Sequence, residues 1–207
     1  MYRNVEENLK KWKKSVTKKP LVISGARQVG KTYSILKFAK ENYKSYLYVN
    51  FERDLDIKNF MDKTANPKEI ISYLEIAYPQ INFEEGKTLI IFDEVQACPQ
   101  ALTSIKFLGS ETKYDYIVSG SLLGIAIKHT SSYPVGYVES IEMKPMGFDE
   151  FLKAMNLKDQ VILQLKDYFE KGEPVNEMLH EKFMDYFRTY IIVGGMPEAV
   201  KCYVKTK

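Results

Sequence analysis

At 207 residues the chain can hold one α/β domain, or one with a small appendage, and a formal net charge of +3 is too mild to argue for nucleic acid or an anionic membrane. Its 45% hydrophobic content suits an ordinary globular protein, but the longest apolar runs are only a few residues, which excludes a transmembrane helix. Residues 1–16 are charged throughout, which excludes a secretory signal, and the isolated Cys98 and Cys202, with scattered His129 and His180, argue against structural zinc and fit a cytoplasmic location.

Val5, Leu9, Trp12 and Val16 recur at helical spacing and predict an opening helix with one apolar face. Its other face carries Lys10, Lys11, Lys13 and Lys14, with Lys18 and Lys19 beyond them. With no aromatic or glycine partner beside it, this basic cluster reads as a solvated face rather than a phosphate-backbone contact. Lys19 to Ser24, opened by Pro20 and rich in β-branched residues, reads as a buried strand.

Directly after that strand, Gly25-Ala26-Arg27-Gln28-Val29-Gly30-Lys31-Thr32 fits G-x-x-x-x-G-K-[ST]. The glycines let the backbone wrap an anion, and amides from Gly30 onward would point at its oxygens. A helix starting near Lys31 would add its N-terminal dipole. Lys31 would reach the β- and γ-phosphates, and the Thr32 hydroxyl would bind a Mg²⁺ that keeps most of its waters. Tyr33 to Asn42 supplies that helix, with Ile35, Leu36, Phe38 and Ala39 among lysines. A glycine turn between two core elements, with Lys31 merely solvated, is the alternative. The strand-loop-helix context and the second motif below favour phosphate.

Lys44 to Glu52 alternates as a second strand, and Asp54 and Asp56 after it read as loop residues. Asn66-Pro67 predicts a capped helix start, carried on by Ile70, Ile71, Leu74, Ala77 and Tyr78 and ended by Pro79. Thr88 to Glu94 is the second informative stretch: Leu89-Ile90-Ile91-Phe92 delivers Asp93 and Glu94 to the C-terminal edge of a buried strand. Asp93 would serve Mg²⁺, and Glu94 would orient and polarise the attacking water. Adjacent buried acids without a cation are costly, so their position favours function.

Pro99 to Ser110 reads as a helix, and Lys113 to Ser119 as a strand running into Ser119-Gly120-Ser121. Ser119 could touch the γ-phosphate or the attacking water, or these serines could belong to a plain capped turn. Val138 to Met143 alternates as a last strand. From Phe148 the pattern is helical: Phe148 to Met155, then Val161 to Phe169, an interruption over 172–176, Phe183 to Val193 closed by Gly194-Gly195, and a short helix opened by Pro197. The expected organisation is a core with its N-terminal helix over 1–145 and a small helical region over 146–207.

The loop Gly25 to Thr32 and the run Phe92-Asp93-Glu94-Val95-Gln96 together resemble the prokaryotic AAA-type ATPases in which this core precedes a C-terminal domain of unknown function. Arg3 and Trp12 are similar to that family's opening helix, and Ser119-Gly120-Ser121-Leu122-Leu123 to its polar strand end. Tyr133-Pro134-Val135-Gly136, Lys144 to Phe151 and Gly194-Gly195-Met196-Pro197-Glu198 extend the resemblance along nearly the whole chain. It implies a RecA-like P-loop core with a parallel sheet in the order 5-1-4-3-2, binding ATP and Mg²⁺. Residues 25–33 (Gly25, Ala26, Arg27, Gln28, Val29, Gly30, Lys31, Thr32 and Tyr33) would hold the nucleotide, Thr32 and Asp93 the metal, and Glu94, Lys31 and Ser119 would act in catalysis, Ser119 as sensor. Tyr137 stands where relatives place Lys or Arg, so a cationic contact is not expected there. The family's C-terminal region would follow Lys207, and a DNA or protein partner would be engaged through it; self-association is also expected.

Three functions stay open on sequence: ATP hydrolysis, a nucleotide-dependent binding switch with negligible turnover, and phosphate transfer to a small molecule. The third would usually use an arginine-rich lid, and the chain's arginines are Arg3, Arg27, Arg53 and Arg188.

Overall fold

The computed structural model describes residues 1–121 and 136–206. Leu122, Leu123, Tyr133, Pro134 and Val135, which contribute to the resemblance, lie outside the described residues. The chain divides into two compact units, Val5–Met143 and Met1–Asn4 with Lys144–Lys207.

In the first unit the elements run α1 (Val5–Lys14), β1 (Leu21–Ser24), α2 (Lys31–Asn42), β2 (Ser45–Asn50), α3 (Leu55–Met61), α4 (Pro67–Ala77), β3 (Thr88–Asp93), α5 (Pro99–Glu111), β4 (Asp115–Gly120) and β5 (Glu139–Glu142). The five strands form one parallel sheet ordered β2-β3-β4-β1-β5, which read from the other edge is 5-1-4-3-2. Parallel strands need both faces covered, and their residues divide accordingly. Val22, Leu47, Val49, Ile90, Phe92, Tyr116 and Val118 pack with side chains from α3, α4 and α5 into one continuous core. Leu21, Ile23, Leu89, Ile91 and Ile117 alternate with them, are buried too, and face the side of α1 and α2, whose Trp12 and Phe38 rings meet at 6.4 Å.

The local departures from the sequence reading have simple causes. α1 stops at Lys14, so Val16, one turn further along the expected apolar face, stands fully exposed. Asp54 and Asp56 flank and enter a short helix, α3, because Ile57 and Met61, four apart, both reach the core. The Asp54 carboxylate accepts from the Asn50 amide at 2.7 Å and closes the turn after β2. Asn66 caps α4 as expected, accepting from the Lys68 amide at 3.0 Å.

The second unit consists of α6 (Phe148–Ala154), α7 (Asp159–Lys171), α8 (Glu177–Val193) and α9 (Pro197–Thr206), with Met1–Asn4. α8 begins six residues before Phe183, because the Asn176 side chain caps the Met178 amide at 3.1 Å. Met146, Phe151 and Val200 form a small core ringed by Phe148, Tyr190 and Val193. Residues 1–4 belong to this unit for a polar reason. Arg3 Nε donates to Glu150 Oε1 at 3.0 Å, its Nη2 donates to the Lys144 carbonyl at 2.7 Å, and the Asn4 amide donates to Glu150 Oε1 at 2.6 Å. Gly195 lets the late turn close on Met146: an added Cβ would lie 2.4 Å from the Met146 carbonyl oxygen.

Candidate nucleotide site

Residues 25–30 join the C-terminal end of β1 to the start of α2, and each conformational demand in this loop falls on a fitting residue. Gly25 has φ +150°, and a Cβ there would sit 2.2 Å from the Met143 carbonyl oxygen, so only glycine fits. Gln28 and Gly30 also take positive φ, 64° and 90°. Val29 is fully buried and pins the middle of the loop to the core. Gly30 offers α2 no side-chain cap, so the amides of the first turn are the kind an anion can satisfy.

Lys31 is only 6% exposed, yet its ammonium has partners. It donates to the carbonyls of Gly25 and Ala26, each at 2.8 Å, and to Ser121 Oγ at 3.3 Å. Burial pushes its pKa below the ordinary lysine value; Glu94 and Asp93 pull it back up and Arg27 pushes it down. Carbonyls hold a cation less strongly than phosphate oxygens would. The loop therefore stores a lysine beside an anion-shaped backbone.

β4 lies between β1 and β3, so the ends of three adjacent strands converge here. Asp93, the last residue of β3, is 1% exposed, and four donors fill its carboxylate. Thr32 Oγ1 and the Tyr48 hydroxyl each donate to Oδ2 at 2.8 Å, while Ser119 Oγ at 2.5 Å and the Glu94 amide at 3.0 Å donate to Oδ1. Glu94 leaves the strand at φ 52°, which separates the two acids. Its side chain accepts from Gln96 Nε2 at 2.5 Å, while Gln96 Oε1 is buried without a partner.

Arg27, Gln28, Gly30, Lys31, Thr32 and Tyr33 line a cavity of about 470 Å³ whose remaining wall is Glu52, Glu94 and Ser121. Gly25, Ala26, Val29, Asp93 and Ser119 do not line it. Gly25 and Val29 shape the loop from beneath, and Ala26 lends Lys31 its carbonyl. Ser119 is still inside β4, where its hydroxyl is given to Asp93. Ser121, just past the strand, is the serine that reaches the cavity. Tyr48, Gln96 and Glu52 are the site residues that sequence reasoning missed, and of the two serines in the expected polar strand end it favoured Ser119 over Ser121. Only the alternation of the second strand, read as far as Glu52, and the match of the run Phe92 to Gln96 hinted at them. Tyr137 is exposed and lies outside the cavity lining. Among the described residues no cluster of three or more His, Cys, Asp or Glu could hold a metal, and no helix is long and apolar enough to cross a membrane.

Comparison with known proteins bears on the fold and the family. The chain is 26% identical over 186 residues to an uncharacterized protein of Methanocaldococcus jannaschii, a match covering 89% of this chain and 37% of that protein, so it spans little more than a third of its relative. In structure it is similar to the Walker-type ATPase PABY2304 of Pyrococcus abyssi, with a TM-score of 0.54 at 15% identity over 96% of this chain and 65% of that one. It is also similar to a replication initiator DnaA bound to AMPPCP and single-stranded DNA, with a TM-score of 0.53 at 14% identity over 98% of this chain and 58% of that one. A family model described as AAA domain matches residues 17–152, from the approach to β1 through most of α6. With its parallel sheet in the order 5-1-4-3-2, its phosphate-type loop and that match, the chain belongs to the AAA domain family.

Proposed function

We propose that this chain binds ATP with Mg²⁺ and hydrolyses it, using the energy to drive or switch a partner. The observation that carries this reading is the convergence of Lys31, Thr32 and Glu94 on one cavity, with Asp93 bonded to Thr32 beneath it. In this reading the ammonium of Lys31 exchanges the carbonyls of Gly25 and Ala26 for phosphate oxygens, and the amides from Gly30 onward complete the cradle. Glu94 orients water for in-line attack on the γ-phosphorus and accepts its proton: the water oxygen forms the new P–O bond, the bond from the γ-phosphorus to the β–γ bridging oxygen breaks, and ADP leaves with the electron pair. Gln96 holds the Glu94 carboxylate toward the cavity. Ser119 acts through Asp93 rather than by touching nucleotide.

The donor set suits Mg²⁺. A threonine hydroxyl 2.8 Å from a carboxylate offers hard oxygen ligands, with room for waters in the cavity. When bound, a metal held by Thr32 and Asp93 would offset the charge that develops on the phosphate oxygens.

A small-molecule kinase is less well supported, because such enzymes usually use an arginine-rich lid and this chain has four arginines in all. Arg3 pairs with Glu150 and Arg188 with Asp185. Of the four arginines only Arg27 lines the cavity, and on the family resemblance Tyr137 stands where relatives usually have Lys or Arg. For the same reason turnover is expected to be slow unless a second subunit or another part of a longer polypeptide supplies the charge, a group worth orders of magnitude in rate. A DNA or protein partner, self-association and a cytoplasmic location belong to this proposal.

Calorimetry with ATP and Mg²⁺ tests it. Wild type is expected to bind at micromolar nucleotide, and Lys31→Ala to lose on the order of 2–3 kcal/mol or more through loss of a charge-assisted contact. Equal affinity in a folded Lys31→Ala protein contradicts the reading. Binding without any turnover favours the switch.

A further inference from the structure

The Asp93 carboxylate is saturated before any ligand arrives, and one of its donors comes from outside both motifs. Tyr48 sits on the edge strand β2, in register with Ile91, and Asn50 is in register with Asp93 itself. The phenol hydroxyl crosses to Asp93 Oδ2, the same oxygen that accepts from Thr32. Asn50 Nδ2 lies 3.4 Å from the phenol oxygen and donates to it from the other side. A phenol keeps its proton at neutral pH, so the hydroxyl is the donor to the carboxylate.

A carboxylate oxygen offers about two lone-pair directions, and both are taken on Oδ2. Oδ1 is closed in the same way by Ser119 and by the backbone amide of Glu94. If Asp93 is to receive a metal ion or a metal-bound water, one donor must leave. The Glu94 amide is fixed by the backbone, and Ser119 is fully buried inside β4 with its hydroxyl committed to Asp93. Thr32 can keep donating its proton to Asp93 while a lone pair of its oxygen turns to the metal. Of the four donors, Tyr48 is the one that is both partly exposed and already within reach of a second side chain, Asn50.

Resting on the reading of this site as one for ATP and Mg²⁺, we infer that Tyr48 is a positioning residue that competes with the metal: its hydroxyl satisfies Asp93 in the empty site and withdraws toward Asn50 when Mg²⁺ and nucleotide enter. The bond stabilises the empty form, and loading must break it.

Loss of this hydroxyl should therefore act with opposite signs on stability and on metal loading, which a merely structural tyrosine would not produce. Tyr48→Phe keeps the ring and removes the donor. The ligand-free variant is expected to melt at a lower temperature than wild type. Its midpoint for Mg²⁺, read from the binding of a fluorescent ATP analogue during Mg²⁺ titration, is expected to fall by about 10-fold or more, as the loss of one competing hydrogen bond to a charged group implies. Nucleotide affinity without Mg²⁺ should stay within about twofold, since the phenol touches no phosphate-binding group. Tyr48→Leu, which also lacks the donor, should move the midpoint the same way and guards against a folding defect peculiar to phenylalanine. A midpoint that is unchanged or higher in both variants, against a wild type that binds ATP in a Mg²⁺-dependent manner, overturns the inference and leaves the ATP reading standing. A wild type that shows no Mg²⁺-dependent ATP binding overturns both.

Discussion

β3 and α8 are both rich in apolar residues, yet they live in opposite surroundings. All six residues of β3 are buried, whereas none of the seventeen residues of α8 is. β3 has a strand on either side and helices over both faces, so each of its side chains meets protein. α8 touches its unit's core only through partly buried residues such as Tyr190 and Val193, while Ile191 and Ile192 stand 64% and 85% exposed. On α7, Leu163 and Phe169 are exposed as well. The contrast separates two sources of order. The first unit is held by buried apolar area, and the second leans on polar ties and a small core.

The largest effect expected from that contrast is in the sheet. Phe92 is fully buried, with the rings of Phe51 and Tyr116 at 5.4 and 6.5 Å. Phe92→Ala should cost about 3–5 kcal/mol by losing transfer free energy and leaving a cavity. Cys98 gives a direct readout, because it is buried in the same core, and burial pushes its thiol up to about 11. A thiol reagent should label it many times faster in the variant than in wild type. Labelling at the wild-type rate would break the contrast between the two units.

Next comes the polar tie of the second unit. Arg3→Ala strands Glu150, which is 4% exposed, with only backbone amides as partners. A broken buried ion pair typically costs about 3–5 kcal/mol, and the amides that remain place this one at about 3 or below. Proteolysis within α6–α9 is the measurement, and protection equal to wild type would show that the apolar cluster alone suffices. The smallest effect should be at Ile192. Ile192→Ala removes an exposed side chain and should change stability by no more than about 0.5 kcal/mol in thermal or urea unfolding. A larger loss would mean that the exposed face of α8 is covered in solution.

How far the sequence reveals this molecule depends on the range of the interaction that fixes each part. The turn from β1 into α2 over Gly25 to Thr32 was legible because the motif sets residue types at fixed spacing within a single short stretch. The motif marks its glycines whatever their neighbours, although the contact that requires Gly25, with Met143, is far along the chain. The burial of Leu89 to Phe92 was legible for the same reason, as an unbroken apolar run. The sheet order came through resemblance, not through the periodicity of any strand. Tyr48 on Asp93, by contrast, depends on the register between β2 and β3, which no single strand encodes. Arg3 looks like part of the opening helix until its partner, 147 residues away, places it with the second unit. α3 is only seven residues long, too short for its period to stand out against Asp54 and Asp56. Ser119 and Ser121 are alike in sequence. What separates them is that β4 ends between the two, at Gly120.

The most direct test of the central claim is single-turnover hydrolysis of ATP by Glu94→Gln beside wild type, with nucleotide binding measured on the same samples. Glutamine keeps the shape of the Glu94 side chain but removes the charge that would polarise water. ATP and Mg²⁺ are expected still to bind while hydrolysis falls by roughly 10²-fold or more, the usual contribution of a positioned general base. Hydrolysis by Glu94→Gln at the wild-type rate would contradict the claim.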